Sequence, residues 1–172
     1  MIIWISGAYG VGKSTLAETL AGKMENAMVF DAEEVGNAVR DNYPDMPYGA
    51  VYEDYPLWCE FNYLLLKDIH TSFRRNILVP MTLLRQSSYD SIIARLQRDG
   101  IDTRLIILEA TRQCIHDRIL ARGEDEDCWC MQHIDMSSRA ASAITNGWHL
   151  SADRLCPDEL ADAVLRRLHA NE

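Results

Sequence analysis

Residues 7–14 read Gly7-Ala8-Tyr9-Gly10-Val11-Gly12-Lys13-Ser14, a complete G-x-x-x-x-G-K-[ST] motif. The apolar run Ile2-Ile3-Trp4-Ile5 precedes it and a segment of helical spacing follows. That strand–loop–helix setting is the context in which such a motif becomes a phosphate-binding loop. Glycine backbones turn tightly and bring several N–H groups around a polyphosphate. The following helix aims the positive end of its dipole at the same phosphates. Lys13 then reaches the β- and γ-phosphates as a point charge, and Ser14 offers its hydroxyl to Mg²⁺. The expected nucleotide-binding residues are therefore Gly7, Ala8, Tyr9, Gly10, Val11, Gly12, Lys13, Ser14 and Thr15, with ATP and Mg²⁺ as cofactors.

With 172 residues, 48 % of them hydrophobic, the chain suits one globular domain spanning 1–172. Its net charge of −9 argues against nucleic acid as a partner, because nucleic-acid binders present a basic face. No apolar stretch approaches the length of a membrane span. No basic region precedes Ile2, so a secretory signal is not expected. Five cysteines, an odd number, fit reduced thiols and a cytoplasmic location.

Apolar spacing then lays out alternating elements. Leu16, Ala17, Leu20, Ala21 and Met24 make the stripe of a first helix, and 27–30 a short strand ending at Asp31. A helix follows over 32–40, then a turn-rich segment, 42–56, of the kind that often carries binding residues. Leu57, Trp58, Phe61, Leu64, Leu65, Ile69 and Phe73 recur at helical spacing and predict one long helix, with Phe61 in the core. Strands are expected at 76–81, 104–108 and 148–150. Helices are expected around Ile92–Leu96, Ile115–Leu120, 131–144 and Leu160–Leu168. The alternation implies a parallel sheet with helices on both faces. Ligands in such sheets bind outside the carboxyl ends of the strands, where the glycine loop, Asp31, Thr82 and Glu109 converge.

Asp31 directly follows the second strand. A carboxylate there can accept a substrate hydroxyl proton or hold Mg²⁺ through water, making it both a catalytic and a metal candidate. It can equally cap the next helix, with Glu34 in the capping-box position. Glu33 and Glu34 read as first-turn helix residues. Arg118 and Arg122, four apart before the acidic loop 124–127, suit lid arginines that offset charge on a moving phosphoryl group. The alternative is a solvated helix face. Arg139 is a weaker candidate for the same short lid, placed around 118–139. Strand 76–81 ends in Pro80-Met81-Thr82 and not in an acid, which favours a kinase-like arrangement over a motor or GTPase type. Trp58, Phe61 and Trp129 are candidates for an aromatic acceptor pocket.

Several segments resemble the bacterial tunicamycin resistance proteins. They are Ile3 to Lys13, Val29-Phe30-Asp31-Ala32-Glu33-Glu34-Val35-Gly36, Val79-Pro80-Met81-Thr82-Leu83, and Arg122-Gly123 followed by Trp129. More distantly the chain is similar to chloramphenicol phosphotransferase, shikimate kinase and the adenylate-kinase-like enzymes. The resemblance implies a three-layer α/β/α P-loop NTPase fold of the nucleoside/nucleotide kinase type, with a five-stranded parallel sheet. It also implies ATP binding and a nucleoside antibiotic or similar small molecule as second ligand. By the phosphotransferase analogy Lys13 and Ser14 take the phosphate and Mg²⁺ roles, and Asp31 the base role.

The leading expectation is an ATP-dependent small-molecule phosphotransferase whose catalytic residues are Lys13, Asp31, Arg118 and Arg122. Its alternative is an ATP-dependent protein that sequesters an antibiotic without phosphoryl transfer. A regulatory nucleotide switch ranks third. A homodimer is left open.

Overall fold

The structure is a computed structural model and describes residues 1–44 and 51–170. The turn-rich segment expected over 42–56 therefore lies partly outside the described residues. Its end forms a 3-10 turn, Tyr52–Asp54.

Every residue of β1 (Ile2–Gly7) is buried. Ile2 and Trp4 enter one core cluster, Ile3 and Ile5 the other. A strand apolar on both sides needs a helical layer against each face, and it sits in the middle of a parallel sheet. The sheet runs β2-β3-β1-β4-β5, with β2 (Ala27–Val29), β3 (Asn76–Pro80), β4 (Thr103–Glu109) and β5 (Trp148–Ser151). All four pairings are parallel, and Trp4 is in register with Val79 on one side and Leu105 on the other. This is the expected five-stranded α/β/α arrangement.

The helices are α1 (Lys13–Lys23), α2 (Ala32–Arg40), α3 (Pro56–Phe73), α4 (Gln86–Ser91), α5 (Ile93–Arg98), α6 (Arg112–Ala121), α7 (Trp129–Gln132), α8 (Ile134–Ser142) and α9 (Pro157–His169). α1 packs beside α9, with Lys23 reaching Asp158 at 3.1 Å and Asp162 at 2.6 Å. No helix of the described residues is long and apolar enough to cross a membrane.

Two expectations are corrected here. The helix expected over 131–144 is broken at His133 into α7 and α8, whose apolar residues still face the core. On α3 the buried residues are Trp58, Asn62, Tyr63 and Leu66, whereas Leu57, Phe61, Leu64, Leu65 and Phe73 are exposed. Phe61 is thus not a core residue. Trp58 sets the rotation of the helix: its Nε1 donates to Ala32 O at 2.9 Å and its ring meets Trp4 edge-on at 6.4 Å. Buried indoles require both a partner for the N–H and close ring packing, and only one face of α3 supplies them.

Candidate active site

The glycine loop leaves β1 at its carboxyl end and feeds α1. Gly7 has φ +144°, and a Cβ there would lie 2.5 Å from Leu108 O. Gly10 has φ +81°, and a Cβ would lie 2.6 Å from Ile119 Cγ1. Only glycine therefore fits the backbone path and its close approach to β4 and α6.

Three neighbours hold this loop. Thr82, just past β3, donates its hydroxyl to Gly7 O at 2.9 Å, and Leu83 N donates to Ser6 Oγ at 2.9 Å. Arg118 of α6 donates from Nη1 to Val11 O at 2.7 Å and from Nη2 to Ala152 O at 2.5 Å. Tyr9 N donates to Ser137 Oγ at 3.3 Å. The position where an acid was not found in the sequence is thus occupied by a hydroxyl that braces the loop.

Lys13 bends back over the loop and donates from Nζ to Ala8 O at 2.8 Å and Gly7 O at 3.3 Å. Burial pulls its pKa down to about 8; Glu33 opposes the shift and Arg122 adds to it. Ser14 and Thr15 are exposed in the first turn of α1. A cavity of about 670 Å³ opens over the loop and brings Tyr9, Lys13, Glu33, Arg118 and Arg122 together, with Leu155, Pro157 and Leu160 on an apolar edge. All nine residues from Tyr9 to Leu16 and Glu33 that face it belong to the loop, its helix or α2, and Ser14 and Thr15 are among them. A glycine-only cradle, an ammonium, a helix-start hydroxyl and a facing carboxylate form a donor set that fits a nucleotide polyphosphate with Mg²⁺.

Asp31 is placed differently from Glu33. Its Oδ1 accepts from Glu33 N at 2.8 Å and Glu34 N at 3.3 Å, the N-cap of α2. Glu33 lines the cavity and Asp31 does not. Partial burial, with the negative charge of Asp31, raises the Glu33 carboxyl above its ordinary range, and Lys13 opposes that. From the sequence Glu33 reads as a first-turn residue of α2; in the structure its backbone N–H meets the Asp31 cap while its side chain lines the cavity.

Arg122 pairs with Glu124 at 2.6 Å while facing the cavity. Arg139 donates to Asp135 O and is not part of the lining. Glu109 turns toward β5, where its Oε1 lies 2.8 Å from His149 Nδ1. Trp129, 44 % exposed, lies edge-on to Tyr9 at 4.6 Å and stacks on His133 at 4.2 Å. Of the aromatic candidates, it alone reaches the loop; Trp58 is buried and Phe61 points outward.

The same fold occurs in solved structures. The Deinococcus radiodurans tunicamycin resistance protein is 21 % identical, with a TM-score of 0.74 covering 97 % of this chain and 94 % of that one. A sugar kinase from Janibacter sp. is 17 % identical, with a TM-score of 0.70 over 98 % and 94 % of the two chains. The APS kinase CysC of Mycobacterium tuberculosis, solved with AMPPNP and APS, is 18 % identical, with a TM-score of 0.62 over 98 % and 96 %. These likenesses establish a P-loop kinase-like fold. No curated protein sequence matches the chain. A family model described as an AAA domain matches residues 2–144, from the first strand through the glycine loop to the helix after the acidic turn, and the chain belongs to that family.

Proposed function

We propose that this chain is an ATP-dependent phosphotransferase acting on the hydroxyl of a small molecule. The observation that carries the reading is the meeting of Lys13, Arg118, Arg122 and Glu33 around one cavity floored by the glycine loop. Three cations and one carboxylate suit a reaction in which negative charge moves between two oxygens while a hydroxyl proton is removed.

The loop N–H groups and Lys13 would hold the β- and γ-phosphates. Arg118 and Arg122, on a lid formed by 118–139, would face the transferring group. Mg²⁺, when bound, offsets charge on the β- and γ-phosphate oxygens, and Ser14 is the residue to hold it, with Asp31 acting through water. Glu33 would take the proton from the acceptor hydroxyl as its oxygen bonds to the γ-phosphorus and ADP leaves. Asp31, the base expected from the sequence, would serve chiefly by capping α2 and fixing Glu33. The kinase neighbours support phosphoryl transfer in general, and the likeness to a tunicamycin resistance protein favours a nucleoside antibiotic as the acceptor.

The test is ADP release and product mass with Mg²⁺-ATP and a panel of nucleosides and antibiotics. Glu33→Gln should keep ATP affinity and lower turnover by about a hundredfold or more. A larger loss in Asp31→Asn than in Glu33→Gln returns the base role to Asp31. Antibiotic binding without phosphorylated product overturns transfer in favour of sequestration.

A further inference from the structure

Besides Lys13, Ser14 and Thr15, the glycine loop gives the cavity one more side chain able to hydrogen-bond, that of Tyr9. Tyr9 is half-buried and lines the cavity. Its backbone N–H is engaged elsewhere, donating to Oγ of the fully buried Ser137 at 3.3 Å. Residue 9 thus adds no amide to the phosphate cradle. What it offers the cavity is a phenol.

The ring is held between two neighbours. Trp129 meets it edge-on at 4.6 Å, and Trp129 is itself stacked on His133 at 4.2 Å. Lys13 Nζ lies over the same ring, 5.6 Å from its centroid. These contacts fix the ring while the hydroxyl makes no hydrogen bond among the described residues. A half-buried tyrosine hydroxyl ordinarily finds a partner, and on the wall of a ligand cavity the ligand can supply it.

Tyr9 and Lys13 share their surroundings. Glu33 and Cys130 act electrostatically on both, and all four line the cavity. Burial first, then the charges of Glu53, Cys130 and Glu33, raise the phenol above its ordinary pKa. It therefore keeps its proton at neutral pH and can donate to an anion. In the phosphotransferase reading the group lying between Lys13 and Glu33 is the γ-phosphoryl, whose charge spreads over three equatorial oxygens. A fixed O–H beside such an oxygen gains strength as that charge builds.

Resting on the phosphotransferase reading, we propose that Tyr9 is a further catalytic residue, whose hydroxyl donates a hydrogen bond to a γ-phosphoryl oxygen during transfer. The bonds made and broken stay the same. The acceptor oxygen bonds to the γ-phosphorus, its proton goes to Glu33, and the bond to ADP breaks. Tyr9 keeps its own proton throughout.

Two nucleotide mimics test this on the full chain with Mg²⁺. AMPPNP stands for the ground state, and ADP with aluminium fluoride stands for the planar phosphoryl group in transfer. Calorimetry follows both, with uridine present and without it, in wild type and Tyr9→Phe, which keeps the ring and removes only the hydroxyl. Tyr9→Phe should bind ADP–aluminium fluoride about tenfold more weakly, with AMPPNP affinity kept within about twofold. Equal binding of ADP–aluminium fluoride by the two proteins, or an equal loss on both mimics, overturns the inference and leaves the phosphotransferase reading standing. Wild type that binds AMPPNP but no ADP–aluminium fluoride under either condition removes that reading, and the inference with it.

Discussion

The Thr82 hydroxyl donates to the carbonyl of Gly7 at 2.9 Å, so the end of β3 braces the first residue of the glycine loop on β1. Thr82 is 2 % exposed, and water cannot replace the bond. Thr82→Val keeps the shape and removes the donor. It should cost about 1 kcal/mol in urea unfolding and weaken ATP several-fold, with Thr82→Ser restoring both. An unchanged ATP affinity in the valine variant would show that the brace is irrelevant to the loop.

Gly36 on α2 makes room for Tyr52. A Cβ at Gly36 would lie 2.3 Å from Tyr52 Cδ1, and Tyr52 OH is fixed to Asn37 Oδ1 at 2.6 Å. Gly36→Ala must displace the tyrosine and its neighbour Glu53, at roughly 1–3 kcal/mol. Acceptor KM should rise while ATP affinity, measured by calorimetry, stays within about twofold. Equal losses on both sides would mean that α2 serves the nucleotide site as well.

Glu53 gives stability a pH dependence. Burial raises its pKa to about 7; the Leu84 N–H, Arg85 and the Ser88 side chain oppose the shift, and Asp54 adds to it. Folded protein therefore binds a proton that unfolded chain releases from about 4.5 upward. The stability contributed by that proton is full below 4.5 and is lost as pH rises to about 7, on the order of 3 kcal/mol in total. Urea midpoints of Glu53→Gln against wild type should diverge across this window, the variant being the more stable at pH 8. Parallel curves would contradict the burial of a charged carboxyl here.

The sheet was legible because each strand is a short apolar run and each crossover a helix with its own stripe. The glycine loop was legible because its chemistry is local. α3 was not, because apolar residues cover both sides of it: Leu57, Phe61 and Leu64 have the same character as Trp58 and Leu66, and only the packing of Trp58 on Trp4 selects a face. Glu33 and Asp31 are two residues apart, and spacing alone does not reveal that Asp31 is taken up in the cap of α2 while Glu33 lines the cavity. Glu53 stood in a turn-rich stretch with no motif; its burial emerges only where the segment after β3 passes beside it.

Lys13 tests the central claim most directly. In the free protein its ammonium is held by Ala8 O and Gly7 O, with a pKa of about 8, and nucleotide phosphates would draw it away and keep it charged. Calorimetry of Mg²⁺-ATP against wild type and Lys13→Ala should show one saturable site, weakened about a hundredfold in the variant. In wild type, net proton uptake should be small at pH 6.5 and about half a proton at pH 8, read from heats in buffers of different ionisation enthalpy. No ATP heat in wild type, or equal affinity in the two proteins, would contradict the account.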